Sequence, residues 1–254
     1  MSDELTKSFG FHEVDPEERE QRIRHVFEVV APRYDLMNDF MSFGIHRLWK
    51  RMLLRQANAR AGQLIVDLAG GTGDIARGMA GSDRDVVIVD PSIPMMEAGR
   101  QRDMENITCL AGSGEAIPLA DNSVDTLTIA FGIRNMTRMP EALREIARVL
   151  KPGGRCLCLE FSKPWALIRP FYNLYSFLVI PRLGAMVARQ PAAYTYLVES
   201  IRRFPDQAEM KRLMEQAGLT DVTYRNLSFG IACLHIGVKG ETPAHVPSPL
   251  RGEG

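Results

Sequence analysis

Two acidic residues bracket a glycine turn in DLAGGTGD, residues 67–74. Within it, Gly71-Thr72-Gly73-Asp74-Ile75-Ala76 satisfies the G-x-G-x-x-A spacing, whose glycines let the backbone turn tightly and approach a bound cofactor. Asp90 stands seventeen residues past Gly73 at the end of VVIVD, where a carboxylate can accept hydrogen bonds from ribose hydroxyls. By spacing alone, a nicotinamide dinucleotide and S-adenosylmethionine both fit. Charge helps to separate them. A pyrophosphate would be repelled by Asp67 and Asp74, whereas a sulfonium and an ammonium would be attracted. Glu115 adds a third acidic position where the adenine would lie. The electrostatics therefore favour S-adenosylmethionine, with Asp67, Gly71, Thr72, Gly73 and Asp90 at its site. A glycine turn that binds nothing is the plain alternative. Against it, three features converge on the carboxyl edge of one sheet, where ligands of open α/β folds bind.

The remaining reactive side chains offer less. Cys109, Cys156, Cys158 and Cys233 form no C-x-x-C pair and read as small hydrophobes, so no metal is expected. His46 is beside Arg47 and near Lys50, and His235 sits inside a strand; each is a minor candidate for a base.

The elements that must carry the loop follow from hydropathy. LIVDLA (64–69), VVIVD (86–90), ITCLAG (107–112), VDTLTIAFG (124–132) and RCLCLEF (155–161) read as apolar strands separated by helical segments, the pattern of a doubly wound parallel sheet. DVTYRNLS and GIACLHIGVK add two closing strands. Ile23, Val26, Phe27 and Val30 make one stripe of a helix that Pro32 should end. Leu143, Ile146, Ala147 and Leu150 make another before the Lys151-Pro152-Gly153-Gly154 turn. Asp206 and Glu209 spell a helix capping box. The expected organisation is a loose arm at 1–16, a helical cap at 17–60 and a core at 61–239. A long apolar and aromatic helical insertion interrupts the core at 164–200, and a disordered tail occupies 240–254.

Composition excludes several classes. The chain of 254 residues is 45% hydrophobic and 24% charged, as expected of a folded globular protein. Its 31 basic and 31 acidic residues balance, so nothing points to nucleic acid. The polar, acidic N-terminus is not a secretory signal, and no run of about 18 uncharged apolar residues suggests a spanning helix. A cytoplasmic protein is the expectation.

VAPRYDLMNDFMSFGIHRLWKR (30–51), DLAGGTGD, FGIRNM (131–136), VLKPGGR (149–155), LEFSKP (159–164) and SIRRFPDQ (200–207) together carry a narrower signal. In this combination the chain, from about Phe9 to Lys239, resembles the ubiquinone/menaquinone biosynthesis C-methyltransferases, within the class I S-adenosylmethionine-dependent methyltransferases. The resemblance implies a Rossmann-like, mostly parallel seven-stranded sheet with an antiparallel last strand. It implies methyl transfer to a ring carbon of a polyprenylated benzoquinol or naphthoquinol. It places Thr72 in the loop, Asp90 at the ribose, and Ser113 and Gly114 near the adenine. Two positions depart from the family pattern: Ser113-Gly114 stands where Asn-Ala is usual, and Ala130 where a serine is frequent.

Carbon methylation needs an electron-rich ring carbon, which a ring phenolate supplies. Favouring the phenolate of a phenol with a pKa near 10 at neutral pH takes about 3 units, or roughly 4 kcal/mol, and a fixed cation nearby contributes to that. Arg134 past the fourth strand is the candidate cation, and Asn135 would hydrogen-bond a ring oxygen. A surface turn with a helix cap is the plainer reading of the same pair. Tyr34 and Asn38, at i and i+4, share a helix face; they would close over the cofactor or touch the quinol, or equally pack against the core. The insertion would take the substrate's apolar tail, lean on the inner membrane leaflet, pack on the sheet, or form a homodimer interface. Two other readings stay open: a methyltransferase for another phenolic or lipid-like acceptor, and an inactive cofactor-binding subunit of a quinone biosynthesis complex.

Overall fold

The structure, a computed structural model, describes residues 8–30, 39, 42, 44–100, 106–175 and 191–241. Seven strands form the central sheet: β3 (Leu64–Leu68), β4 (Asp85–Asp90), β5 (Ile107–Ala111), β6 (Val124–Ala130), β7 (Leu150–Phe161), β8 (Leu219–Leu227) and β9 (Ala232–Lys239). Their order is β5-β4-β3-β6-β7-β9-β8. The first five are parallel, and β9 runs antiparallel between β7 and β8. The chain order reverses between β3 and β6, so their carboxyl ends open a crevice at the switch point.

Strand residues alternate between two cores because successive side chains point to opposite faces. Val66, Leu68, Val87, Val89, Cys156 and Cys158 face one layer, closed by α5 (Met139–Val149) and α8 (Gln207–Gln216). Ile65, Val86, Ile88, Leu157 and Leu159 face the other, closed by α2 (Ile45–Ala57), α3 (Asp74–Met79) and α4 (Ile93–Arg100). Leu143, Ile146 and Ala147 are buried on α5, as their spacing requires. Asp206 caps α8 by accepting the Glu209 N–H at 2.9 Å. The Lys151–Gly154 turn lies inside β7 as an irregularity: the β6–β7 register shifts between Val124 and Thr126, and Gly153 adopts φ 77°. Cys156, Cys158 and Cys233 are unbridged, and burial pushes all three thiols up.

The arm differs from the expectation of a loose segment. Ser8–Phe9 (β1) and His12–Glu13 (β2) pair as a hairpin, and α1 (Pro16–Val30) follows directly. The hairpin is held from far along the chain. Phe9 stacks on Tyr196 at 4.3 Å, and the Phe11 N–H donates to Glu199 at 2.9 Å. Such contacts leave no local periodicity to read. The insertion supplies α6 (Arg169–Leu174) and α7 (Pro191–Arg203). Residues 176–190 of the insertion and 242–254 of the tail lie outside the described residues, as do Tyr34 and Asn38.

Candidate active site at the carboxyl edge of the sheet

A cleft of about 1190 Å³, counting its open mouth, runs along the ends of β3, β4 and β6. Its floor is the glycine turn. Ala69 leaves β3 at φ 52° and Phe131 leaves β6 at φ 59°, both in the left-handed region that costs a residue with a side chain. Gly71, also left-handed at φ 53°, brings its N–H to Asp90 Oδ2 at 2.8 Å; a Cβ there would meet Met95 at 3.0 Å. Asp90 Oδ1 accepts the Ser92 N–H at 2.7 Å. The carboxylate thus ties the loop to the end of β4 and retains lone pairs for a further donor. Burial pushes its pKa up.

Asp67 is 1% exposed. Its Oδ1 accepts the Thr128 hydroxyl at 2.9 Å and its Oδ2 the Ala76 N–H at 3.1 Å. Burial outweighs these bonds and raises its pKa to about 7. Asp67 therefore holds strand, loop and helix together and is only partly ionised at neutral pH. Asp74, the other flanking carboxylate, is neutralised: Lys50 lies 3.0 Å from it and Arg77 pairs with it closely. Contrary to the expectation from sequence, Asp74 therefore adds no free negative charge to the loop. Glu20 is likewise offset by Arg24 at 2.9 Å. Among the described residues, Asp67, Asp90 and Glu115 are the cleft carboxylates with no paired cation, and the surplus remains negative.

Ser113 and Gly114 also line the cleft. The Ser113 hydroxyl donates to Glu115, and Glu115 Oε1 accepts the Thr137 and Arg138 N–H groups at 2.7 and 3.1 Å. These bonds hold Glu115 in the charged form. A Cβ at Gly114 would meet the flexible end of Met136, so the glycine leaves room for that side chain. The departure from Asn-Ala is thereby matched by the methionine that covers it. Ser92 lines the cleft beside Asp90, 6% exposed, and its Oγ has no partner among the described residues. An orphaned hydroxyl beside a buried carboxylate suits a ribose, and a cation suits the acidic surplus; S-adenosylmethionine meets both requirements, and a pyrophosphate does not meet the second.

The reacting-side residues separate. Asn135 lines the cleft, with its Oδ1 accepting the Tyr196 hydroxyl at 3.1 Å. Arg134 does not line it. Its side chain is 6% exposed and donates from Nη1 to Glu160 Oε1 and to the Phe131 carbonyl, both at 2.7 Å, while Nε has no partner among the described residues. Glu160 is 1% exposed, and burial raises its pKa against the pull of Arg134. The lone cation expected at Arg134 is instead half of a buried ion pair. The reason is distance in sequence: Glu160 ends β7, and only the sheet brings it to the turn after β6. The two histidines stand elsewhere. His46 Nδ1 is 2.7 Å from Ser42 Oγ, His235 Nε2 is 2.9 Å from the Gln207 carbonyl, and neither lines the cleft.

Sequence reasoning missed Ser92, Thr128 and the α1 face of Glu20, Ile23, Arg24 and Phe27, which covers the cleft. For Ser92, its place two residues past Asp90 was the available signal. For the helix, the i, i+3, i+4, i+7 spacing was visible but its target was not.

Comparison with known proteins agrees with this geometry. Residues 16–239 match the model of the ubiE/COQ5 methyltransferase family. The chain is 63% identical to the ubiquinone/menaquinone biosynthesis C-methyltransferase UbiE of Rubrivivax gelatinosus, over 94% of this chain and 96% of that one. It is 45% identical to UbiE of Hahella chejuensis, over 94% and 100%. A S-adenosylmethionine-dependent methyltransferase of Thermotoga maritima superposes with TM-score 0.61 at 22% identity, covering 85% of this chain and 99% of that one. Phosphoethanolamine N-methyltransferase 2 of Haemonchus contortus, in complex with S-adenosylmethionine, superposes with TM-score 0.57 at 14% identity, covering 76% and 52%. The two superpositions establish the fold. With the match spanning the cap, the cleft and the closing strands, the chain belongs to the ubiE/COQ5 methyltransferase family.

Proposed function

We propose that the protein methylates a ring carbon of a polyprenylated benzoquinol or naphthoquinol in ubiquinone or menaquinone biosynthesis, using S-adenosylmethionine. The observation that carries this reading is the acidic cleft with its orphaned ribose-side hydroxyl, in a chain whose family match spans residues 16–239. S-adenosylmethionine supplies an electrophilic methyl group on a sulfonium. Asp90 and Ser92 would hold its ribose, Ser113 and Gly114 would border the adenine, and Asp67 would face its cationic end. The helix α1 lies over the cleft and excludes water from it.

The acceptor ring would enter from the β6–β7 side, where Asn135 divides the cleft from the Arg134–Glu160 pair. The Asn135 amide orients a ring oxygen. The Arg134 Nε–H, buried behind Asn135 and without a partner among the described residues, would act through a water on an oxygen that becomes negative as the ring hydroxyl gives its proton to solvent. Because Glu160 already offsets the guanidinium, Arg134 contributes a directed hydrogen bond more than a net charge.

No helix among the described residues is long and apolar enough to cross a membrane. Trp165, Leu167, Phe171 and Leu174 are 53–84% exposed, and Phe229 packs edge-on to Trp165 at 5.8 Å. This face would rest on the lipid surface that holds the substrate's tail. Flotation with anionic liposomes tests it; a concentration-dependent dimer that masks Trp165 fluorescence would assign the face to a second copy.

Transfer of labelled methyl from S-adenosylmethionine to demethylated quinols tests the activity. Label in a ring carbon of either quinol supports the reading. Label in another phenol only, or none with the cofactor bound, overturns it in favour of a different acceptor or an inactive subunit.

A further inference from the structure

Arg19 is a charged residue on a surface helix, yet it is 3% exposed. Burying a guanidinium is costly unless its donors are satisfied. Its Nε donates to the Ser8 carbonyl at 2.7 Å and its Nη2 to the Arg134 carbonyl at 3.2 Å. Its Nη1 reaches Thr137 Oγ1 at 3.2 Å and the Asn135 carbonyl at 3.5 Å. None of the four acceptors belongs to α1. One lies in the N-terminal hairpin, two in the turn after β6, and one just before α5. Glu115 grips the same stretch from the other side through the Thr137 and Arg138 N–H groups.

That stretch presents Asn135 to the cleft and Arg134 to Glu160. Arg19 also begins the helix face whose later turns, from Glu20 to Phe27, cover the cleft. One side chain therefore joins the cover of the donor site to the backbone that sets the acceptor-side groups. The hairpin braces it, because Phe9 stacks on Tyr196, whose hydroxyl donates to Asn135.

We infer that Arg19 is a positioning residue for methyl transfer: it fixes the Arg134–Asn135 backbone against the cofactor cleft, so that donor and acceptor are aligned only when α1 is seated. Arg19 touches neither reactant. The planar guanidinium can serve separated acceptors at once, which a lysine ammonium on its single stem cannot.

The inference rests on the methyl-transfer reading, and the test separates the two. Arg19→Lys is compared with wild type in single-turnover transfer to the demethylated quinol, with S-adenosylmethionine binding followed by calorimetry. Since a misplaced reacting group costs up to about 100-fold in rate, the transfer rate of Arg19→Lys should fall at least about tenfold. Cofactor affinity should stay within about threefold. Guanidinium ion, below denaturing concentration, should restore part of the activity of Arg19→Ala. An unchanged transfer rate in Arg19→Lys overturns the inference, as does a loss of cofactor affinity as large as the loss of rate. If Arg19→Lys does not fold, Thr137→Val, which removes one of the four contacts, decides the matter: a smaller fall in rate supports the inference, and none overturns it. A wild-type protein inert on every quinol would instead defeat the functional reading.

Discussion

The two halves of the site are built differently. On the cofactor side, polar groups join neighbouring strand ends and the turns that follow them: Asp90 to the N–H groups of Gly71 and Ser92, Asp67 to Ala76 and Thr128. On the acceptor side they join distant segments and pair with each other: Arg134 with Glu160, Asn135 with Tyr196, Arg19 with the hairpin and the turn. The first half keeps unpaired acceptors for a cationic ligand. The second is a nearly closed network, with the Arg134 Nε as its open donor. On the proposed reading, binding the donor would depend on residual charge, and placing the acceptor on a scaffold.

The sharpest way to break this contrast is to open the network. Glu160→Ala leaves the Arg134 guanidinium buried without its carboxylate, which should cost about 3–5 kcal/mol of stability. Urea unfolding would measure it, and a cost under about 1 kcal/mol would mean that the pair is solvated. On the cofactor side, Asp90→Ala should weaken both binding and the loop, since it leaves the Gly71 and Ser92 N–H groups without their acceptor. Losing two charge-assisted contacts to a ribose corresponds to about 2–3 kcal/mol, or roughly 30–150-fold in affinity by calorimetry.

Proton linkage probes the charge claim. A cation beside Asp67 favours its carboxylate form, so binding lowers a pKa that starts at about 7 and releases a proton. Affinity should therefore rise by about tenfold between pH 6 and pH 8 and then level off. Calorimetry in buffers of different ionisation enthalpy would count the proton. In the cofactor-free protein the sign is opposite for stability. The contribution of Asp67 is fully present below its unfolded value near 3.8 and is lost as the pH rises to about 7. Smallest is Gly114→Ala. The added Cβ forces Met136 aside at a cost of about 1 kcal/mol in thermal unfolding, and Met136→Ala in the same chain should remove most of that cost.

The strands, the glycine turn, the Asp206 cap and the family were all legible in the chain as written, because each rests on contacts within a few residues or on a periodicity of two or 3.6. Gly71, Thr72, Asp90, Ser113 and Gly114 lie along the cleft for the same reason, the ends of parallel strands meeting at one edge, whereas Gly73 does not line it and instead opens the helix that follows. Ionisation was not legible. Asp67 and Asp74 look alike in sequence, yet one is buried toward a pKa of about 7 and the other is paired with Lys50 and Arg77.

Local sequence alone determined the doubly wound sheet and the edge at which its cleft opens, since hydropathy and turn chemistry act between near neighbours. Tertiary structure alone decided that Arg134 is held by Glu160, that residues 8–13 form a hairpin, and that Arg19 is buried. Each of these is a charge or ring satisfied by a partner between 11 and 187 residues away. Whether a buried polar group finds its partner depends on how the elements pack, and no local pattern encodes it.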